Sequence, residues 1–79
     1  MKIQNSNDAF SALAAINGCV TLRETEQSGK VPGLNKMKAH ELTNNSTPEE
    51  CEAWLTSLGV TTEQIEKCTV SGGIVYFNA

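Results

Sequence analysis

Residues 46–60 read STPEECEAWLTSLGV, and this stretch decides how the chain folds. Thr47 is an N-cap residue, Pro48 suits the first helical position, and Glu50 stands three residues after the cap. That is a capping box with proline where its missing N–H costs nothing. Cys51, Trp54, Leu55 and Leu58 then recur at the spacing of one helix face. Gly59 supplies a left-handed stop and Val60 the apolar residue that follows it. Glu49, Glu50 and Glu52 fall on the opposite side, toward water.

Working outward, Thr61 opens a second capping pattern with Gln64, which predicts a helical turn over 62–67 with Ile65 inward. Glu63 and Lys67 stand four apart, the spacing at which a small stabilising pair is expected. CTVS, Gly72-Gly73 and IVYFN then spell a hairpin whose two-residue turn takes positive φ at both centres. The opposed pairs are Ser71–Ile74, Val70–Val75, Thr69–Tyr76 and Cys68–Phe77. Cys68, Val70, Val75 and Phe77 share the expected core face, and Ile74 and Tyr76 the other.

Upstream, Ser6, Asn7 and Asp8 offer caps for a first helix over 8–17 that ends at Gly18. Its stripe is Phe10, Leu13, Ala14 and Asn17, widened by Ala9, Ala12 and Ile16. The alanines make it slim. Residues 19–26 alternate, with Val20 and Leu22 on one side and Thr21, Arg23 and Thr25 on the other, which predicts a half-exposed strand. Residues 27–30 form a turn, and Pro32-Gly33 interrupts the chain again.

Residues 34–43 contain good helix formers, but their apolar positions spread widely around a helical wheel. A strand with Met37 and Ala39 inward and Lys36, Lys38 and His40 outward is the preferred reading, because it gives 19–26 an antiparallel partner. The expectation is one α+β domain over residues 1–79. It has two layers, a small antiparallel sheet of about four strands ending in the hairpin, and two main helices on one face.

Composition sets the remaining bounds. A chain of 79 residues buries about 60–65% of the surface its unfolded form exposes. Its stability is therefore modest, about 4–12 kcal/mol. An apolar fraction of 39% and a charged fraction of 19% belong to a globular chain, not a disordered one. No apolar run is long enough for a spanning helix, and the first residues lack the layout of a signal peptide. Three cysteines at wide spacings do not make a disulfide framework. Those features predict a soluble, cytoplasmic protein of a bacterial or infected host cell.

The chemistry-bearing residues are few. His40 is the only histidine, so a Cys/His pair or a Cys3His zinc site would have to use it with Cys19, Cys51 and Cys68. Cys51 and Cys68 fall on apolar faces, and no two of the four residues stand at knuckle spacing. Residues 29–33, GKVPG, lack the spacing of a phosphate loop. Glu49, Glu50 and Glu52 lie on an exposed helix N-terminus, where they complement its dipole, and no apolar neighbour primes them for acid catalysis. The expectation is no enzyme, no cofactor and no metal.

Charge is distributed unevenly. The net charge is −3, and residues 41–66 hold six acids (Glu41, Glu49, Glu50, Glu52, Glu63, Glu66) with no Lys or Arg. Residues 23–38 hold Arg23, Lys30, Lys36 and Lys38 against two acids, Glu24 and Glu26. The acidic half suits docking to a basic surface of a protein partner, including complexes that process nucleic acid. Glu49, Glu50, Glu52, Glu63 and Glu66 would make the contact, with Tyr76 as an apolar anchor. Small acidic single-domain chains of this profile are common among phage and mobile-element products that inhibit host machinery, anti-CRISPR proteins included. That association rests on size and charge alone. The alternative is a small nucleic-acid-binding domain using Arg23, Lys30, Lys36 and Lys38 in the 23–40 region, against the acidic balance and without an aromatic among the bases. The hairpin also offers a face for a homodimer.

Overall fold

The computed structural model describes residues 1–79. Five helices precede one hairpin: α1 (Ser6–Ile16), α2 (Leu22–Ser28), α3 (Lys36–Ala39), α4 (Pro48–Ser57), α5 (Thr62–Glu66), β1 (Cys68–Ser71) and β2 (Ile74–Phe77). The fold is α+β, as expected, but its sheet has two antiparallel strands rather than about four.

The elements with complete local signals form where the sequence puts them. In α4, the Thr47 hydroxyl accepts from the Glu50 amide and the Glu50 carboxylate accepts from the Thr47 amide, closing the capping box. At its other end the Val60 amide donates to the Leu55 carbonyl at 3.1 Å and the Gly59 amide to the Thr56 carbonyl at 3.0 Å. This is a Schellman stop, and Val60 carries its apolar side chain into the core. In α5, Thr61 and Gln64 make the same reciprocal cap. The hairpin register matches the expected one pair for pair, and Gly72 and Gly73 have φ of 58° and 76°, a turn that matches the twist of the strands.

Two expected strands are helices. Residues 19–26 form no strand, and α2 occupies most of them. The Thr21 side chain caps α2 by accepting from the Glu24 amide, and Gly29 closes it at φ 72° in the left-handed region. The Glu24 carboxylate also accepts from the Val20 amide at 3.3 Å. Thr25 faces inward, 1% exposed, with its hydroxyl donating to the Thr21 carbonyl at 2.8 Å. Cap, back-bond and glycine satisfy the segment's backbone locally, so it needs no strand partner. Thr21→Ala is accordingly expected to cost about 1 kcal/mol, read as a lower urea midpoint with an unchanged slope.

Residues 34–43 form no strand either. Asn35 caps the single turn of α3 by accepting from the Lys38 amide. Leu34 and Leu42 are buried at its two flanks, whereas Met37, expected inward, is 83% exposed. The helix is held from outside: the Trp54 indole N–H donates to the Lys38 carbonyl at 2.8 Å.

The organising element is α1, which packs against α2, α4 and both strands. It starts earlier than expected, with Asn5 as its cap. Ala9, Ala12, Leu13 and Ala14 are buried, and the alanines let neighbours approach on several sides. The core joins these to Ile3, Val31, Leu34, Leu42, Cys51, Trp54, Leu55, Val60 and Cys68. Phe10 meets Trp54 edge-on at a centroid distance of 5.4 Å. The two-helix layer on a broad sheet is thus replaced by a helical cluster around α1, with the hairpin packed against it. Val70, expected on the core face, is 57% exposed.

Candidate functional site

The acids of residues 41–66 divide by what they touch. Glu50 is exposed, but its carboxylate accepts from the Thr47 amide at 2.8 Å, so it anchors α4. Glu41 pairs with Lys38 at 3.3 Å, the molecule's one salt bridge. Glu49 and Glu52 on α4, and Glu63 and Glu66 on α5, are exposed and have no ion-pair partner, so the expected Glu63–Lys67 pair does not form. Four of the five acids expected to contact a partner are therefore free, and one belongs to the fold.

The bases are scattered. Arg23, Lys36 and His40 line one open cleft of about 570 Å³ together with Leu22, Glu26, Gln27 and Ala39. Lys30 is elsewhere: its ammonium donates to the Asn17 carbonyl at 3.2 Å, where it satisfies the end of α1. Lys38 is held by Glu41. The strand pair on which these residues were expected to lie together does not form.

The three thiols are free, with Cys19 half-buried and Cys51 and Cys68 buried. No group of three or more His, Cys, Asp or Glu side chains converges where it could hold a metal ion. Burial raises the Cys51 thiol above its ordinary value, and Glu50, Asp8 and Glu52 raise it further. Burial also raises Cys68, opposed by the nearby N-terminal ammonium. Both cysteines keep their protons in the folded state where an unfolded thiol, ordinarily near 9.0, would lose them. The unfolded state then binds fewer protons, so stability falls with rising pH. Urea midpoints should be unaffected by these thiols through neutral pH and should drop above about pH 9, and Cys51→Ala should reduce that drop.

The last surface is apolar. Ser11 and Ala15 of α1, Cys19 and Val20 after it, and Gly73, Ile74, Val75 and Tyr76 of the hairpin line a groove of about 370 Å³. Tyr76, expected to serve as an apolar anchor, is 50% exposed here. Val20 joins it from far away in sequence, and nothing local in residues 19–26 marks it as a surface residue.

No helix is long and apolar enough to cross a membrane. Together these features define a class: a small α+β domain of five helices and one antiparallel hairpin, with free acids on two helices and an apolar groove beside β2. Compared with known proteins, the chain matches no family model, no curated protein sequence and no solved structure.

Proposed function

We propose that this chain is a non-enzymatic protein-binding module that docks through its acidic surface on a basic surface of a macromolecular partner. The observation that carries the reading is the free state of Glu49, Glu52, Glu63 and Glu66, all exposed and all outside the single salt bridge. Unpaired carboxylates on rigid helices keep their full field. They steer a cationic partner and select against an anionic one. The role that fits is inhibitor or adaptor, of the kind phages and mobile elements direct at nucleic-acid-processing complexes. Its place of action is the cytoplasm of a bacterial or infected cell, where three unbridged thiols stay reduced.

The test uses charge reversals that spare the fold. Glu49→Lys/Glu52→Lys and Glu63→Lys/Glu66→Lys leave both capping boxes intact. A partner captured from host lysate and identified by mass spectrometry should lose at least tenfold in affinity with one of the pairs, about 1.4 kcal/mol, and the wild-type complex should weaken as salt rises. Unchanged affinity with both pairs would remove the reading.

A second reading rests on Arg23 and Lys36, which share the cleft with His40 and lie outside the single salt bridge. Nucleic-acid binding there predicts retention on labelled DNA at low salt that Arg23→Glu/Lys36→Glu abolishes.

A further inference from the structure

The register fixes which backbone groups of β2 are used. The Asn78 amide donates to the Lys67 carbonyl at 2.9 Å, so that pair is hydrogen-bonded. Antiparallel pairs alternate, which makes Thr69–Tyr76 and Ser71–Ile74 hydrogen-bonded too, and leaves Val70–Val75 and Cys68–Phe77 as the open pairs. The N–H and C=O groups of Val75 and Phe77 therefore point away from β1. On the far side of β1, by contrast, the Cys68 carbonyl already accepts from the Met1 amino group at 3.0 Å.

The apolar groove lies along this open edge. Ile74 and Tyr76 project from one face of β2 and Val75 from the other, yet all three line it, with no residue of β1. A groove touched by both faces of one strand runs beside that strand. Three of the five large apolar side chains the fold leaves exposed, Val20, Ile74 and Tyr76, line it as well.

Edge strands of monomers are ordinarily blunted by charge, proline or a bulge. Here β2 reads IVYF, with no charge, proline or bulge, and only its four-residue length limits the edge. The groove lining carries no charged residue either, although the chain as a whole is net −3. A second acidic copy can approach along this face without placing like charges in contact.

We propose that β2 pairs antiparallel with β2 of a second copy across a two-fold axis, making a four-stranded sheet of two hairpins. In the register that uses the outward groups of both Val75 and Phe77, Val75 pairs with the partner's Phe77, and Tyr76 faces the partner's Tyr76 at the axis. The acids of α4 and α5 stay free, so the dimer is independent of the docking reading.

Sedimentation equilibrium of the full chain, loaded up to millimolar concentration, should give twice the 8.5 kDa chain mass. Tyr76→Glu sets two carboxylates against each other and should return the mass to that of one chain, with unchanged far-UV circular dichroism. Ile74→Lys, at a position 57% exposed, should do the same if Tyr76→Glu perturbs folding. The Val75 and Phe77 amides should exchange with deuterium slowly in the wild type and at least tenfold faster in either variant. A wild type that stays at the single-chain mass overturns the proposal, whatever foreign strand the edge then accepts. So do variants that dimerise as the wild type does.

Discussion

Trp54→Ala is expected to lower stability by about 3–5 kcal/mol, against a total of about 4–12 kcal/mol for a chain of this size. Three interactions are lost together. The indole is 3% exposed within the core, it takes the edge-on contact of Phe10 at 5.4 Å, and its N–H donates to the Lys38 carbonyl at 2.8 Å. The last of these ties α3 to α4. A one-turn helix does not hold itself in water, so residues 34–42 should loosen along with the core. Trp54→Phe separates the terms, because it keeps a ring beside Phe10 and deletes the donor. It should cost less than the alanine variant, about the 0.5–1.5 kcal/mol of one hydrogen bond, because the Lys38 carbonyl still accepts from the Glu41 amide at 3.2 Å. Urea unfolding gives the totals. Amide exchange at residues 36–40 reports the local loss, and unchanged exchange there in Trp54→Phe would show that α3 is held by something else.

Lys38 also shows why one part of the chain was legible in sequence and another was not. α4, α5 and the hairpin carry their start and stop signals within their own residues: Thr47 with Glu50, Thr61 with Gln64, and the Gly72-Gly73 turn. Each signal reports a bond made locally, so tertiary context has little to override. α2 carries comparable signals, Thr21 with Glu24 and Gly29 beyond, but the alternation of Val20 to Arg23 masks them. Four residues are about one helical turn, too short to tell a period of two from one of 3.6. α3 is a different case. Only the Asn35 cap is local, and the indole that fixes it arrives from α4.

The candidate surfaces divide the same way. The six acids of residues 41–66 can be counted in the sequence, and the capping box already gives Glu50 its partner there, as the structure bears out. Glu41 proves to be part of an ion pair with Lys38, like the cap a bond three residues long. These two contacts were accessible to a spacing argument, since residues three apart are neighbours on a helical turn. The groove beside β2 was not accessible in that way. It needs Val20 next to Tyr76, a proximity that only the packing of α1 against the hairpin creates. Lys30 and Lys38 are instead engaged by the Asn17 carbonyl and by Glu41, apart from the cleft of Arg23 and Lys36.

The second large effect is expected at α1, not at α4, because α1 packs against α2, α4 and both strands. Leu13 is 0% exposed and borders a cleft lined by Ile16, Val31, Leu58 and Val60. It thus joins α1 to the loop before α3 and to the connection between α4 and α5. Leu13→Ala should cost about 2–5 kcal/mol. The upper part of that range is expected, because neighbours from separate segments cannot all move inward to fill one void, and the alanines at 9, 12 and 14 offer no spare side-chain volume. Leu13→Met conserves most of the volume and should cost less than about 1.5 kcal/mol. The contrast with the surface is the check: Val20→Ala, at a position 83% exposed, should change the urea midpoint of the monomer by no more than about 0.5 kcal/mol equivalent. If Leu13→Ala were as mild as Val20→Ala, α1 would not be the centre of the fold. The helix–hairpin packing that forms the groove would then have to be held by the loops instead.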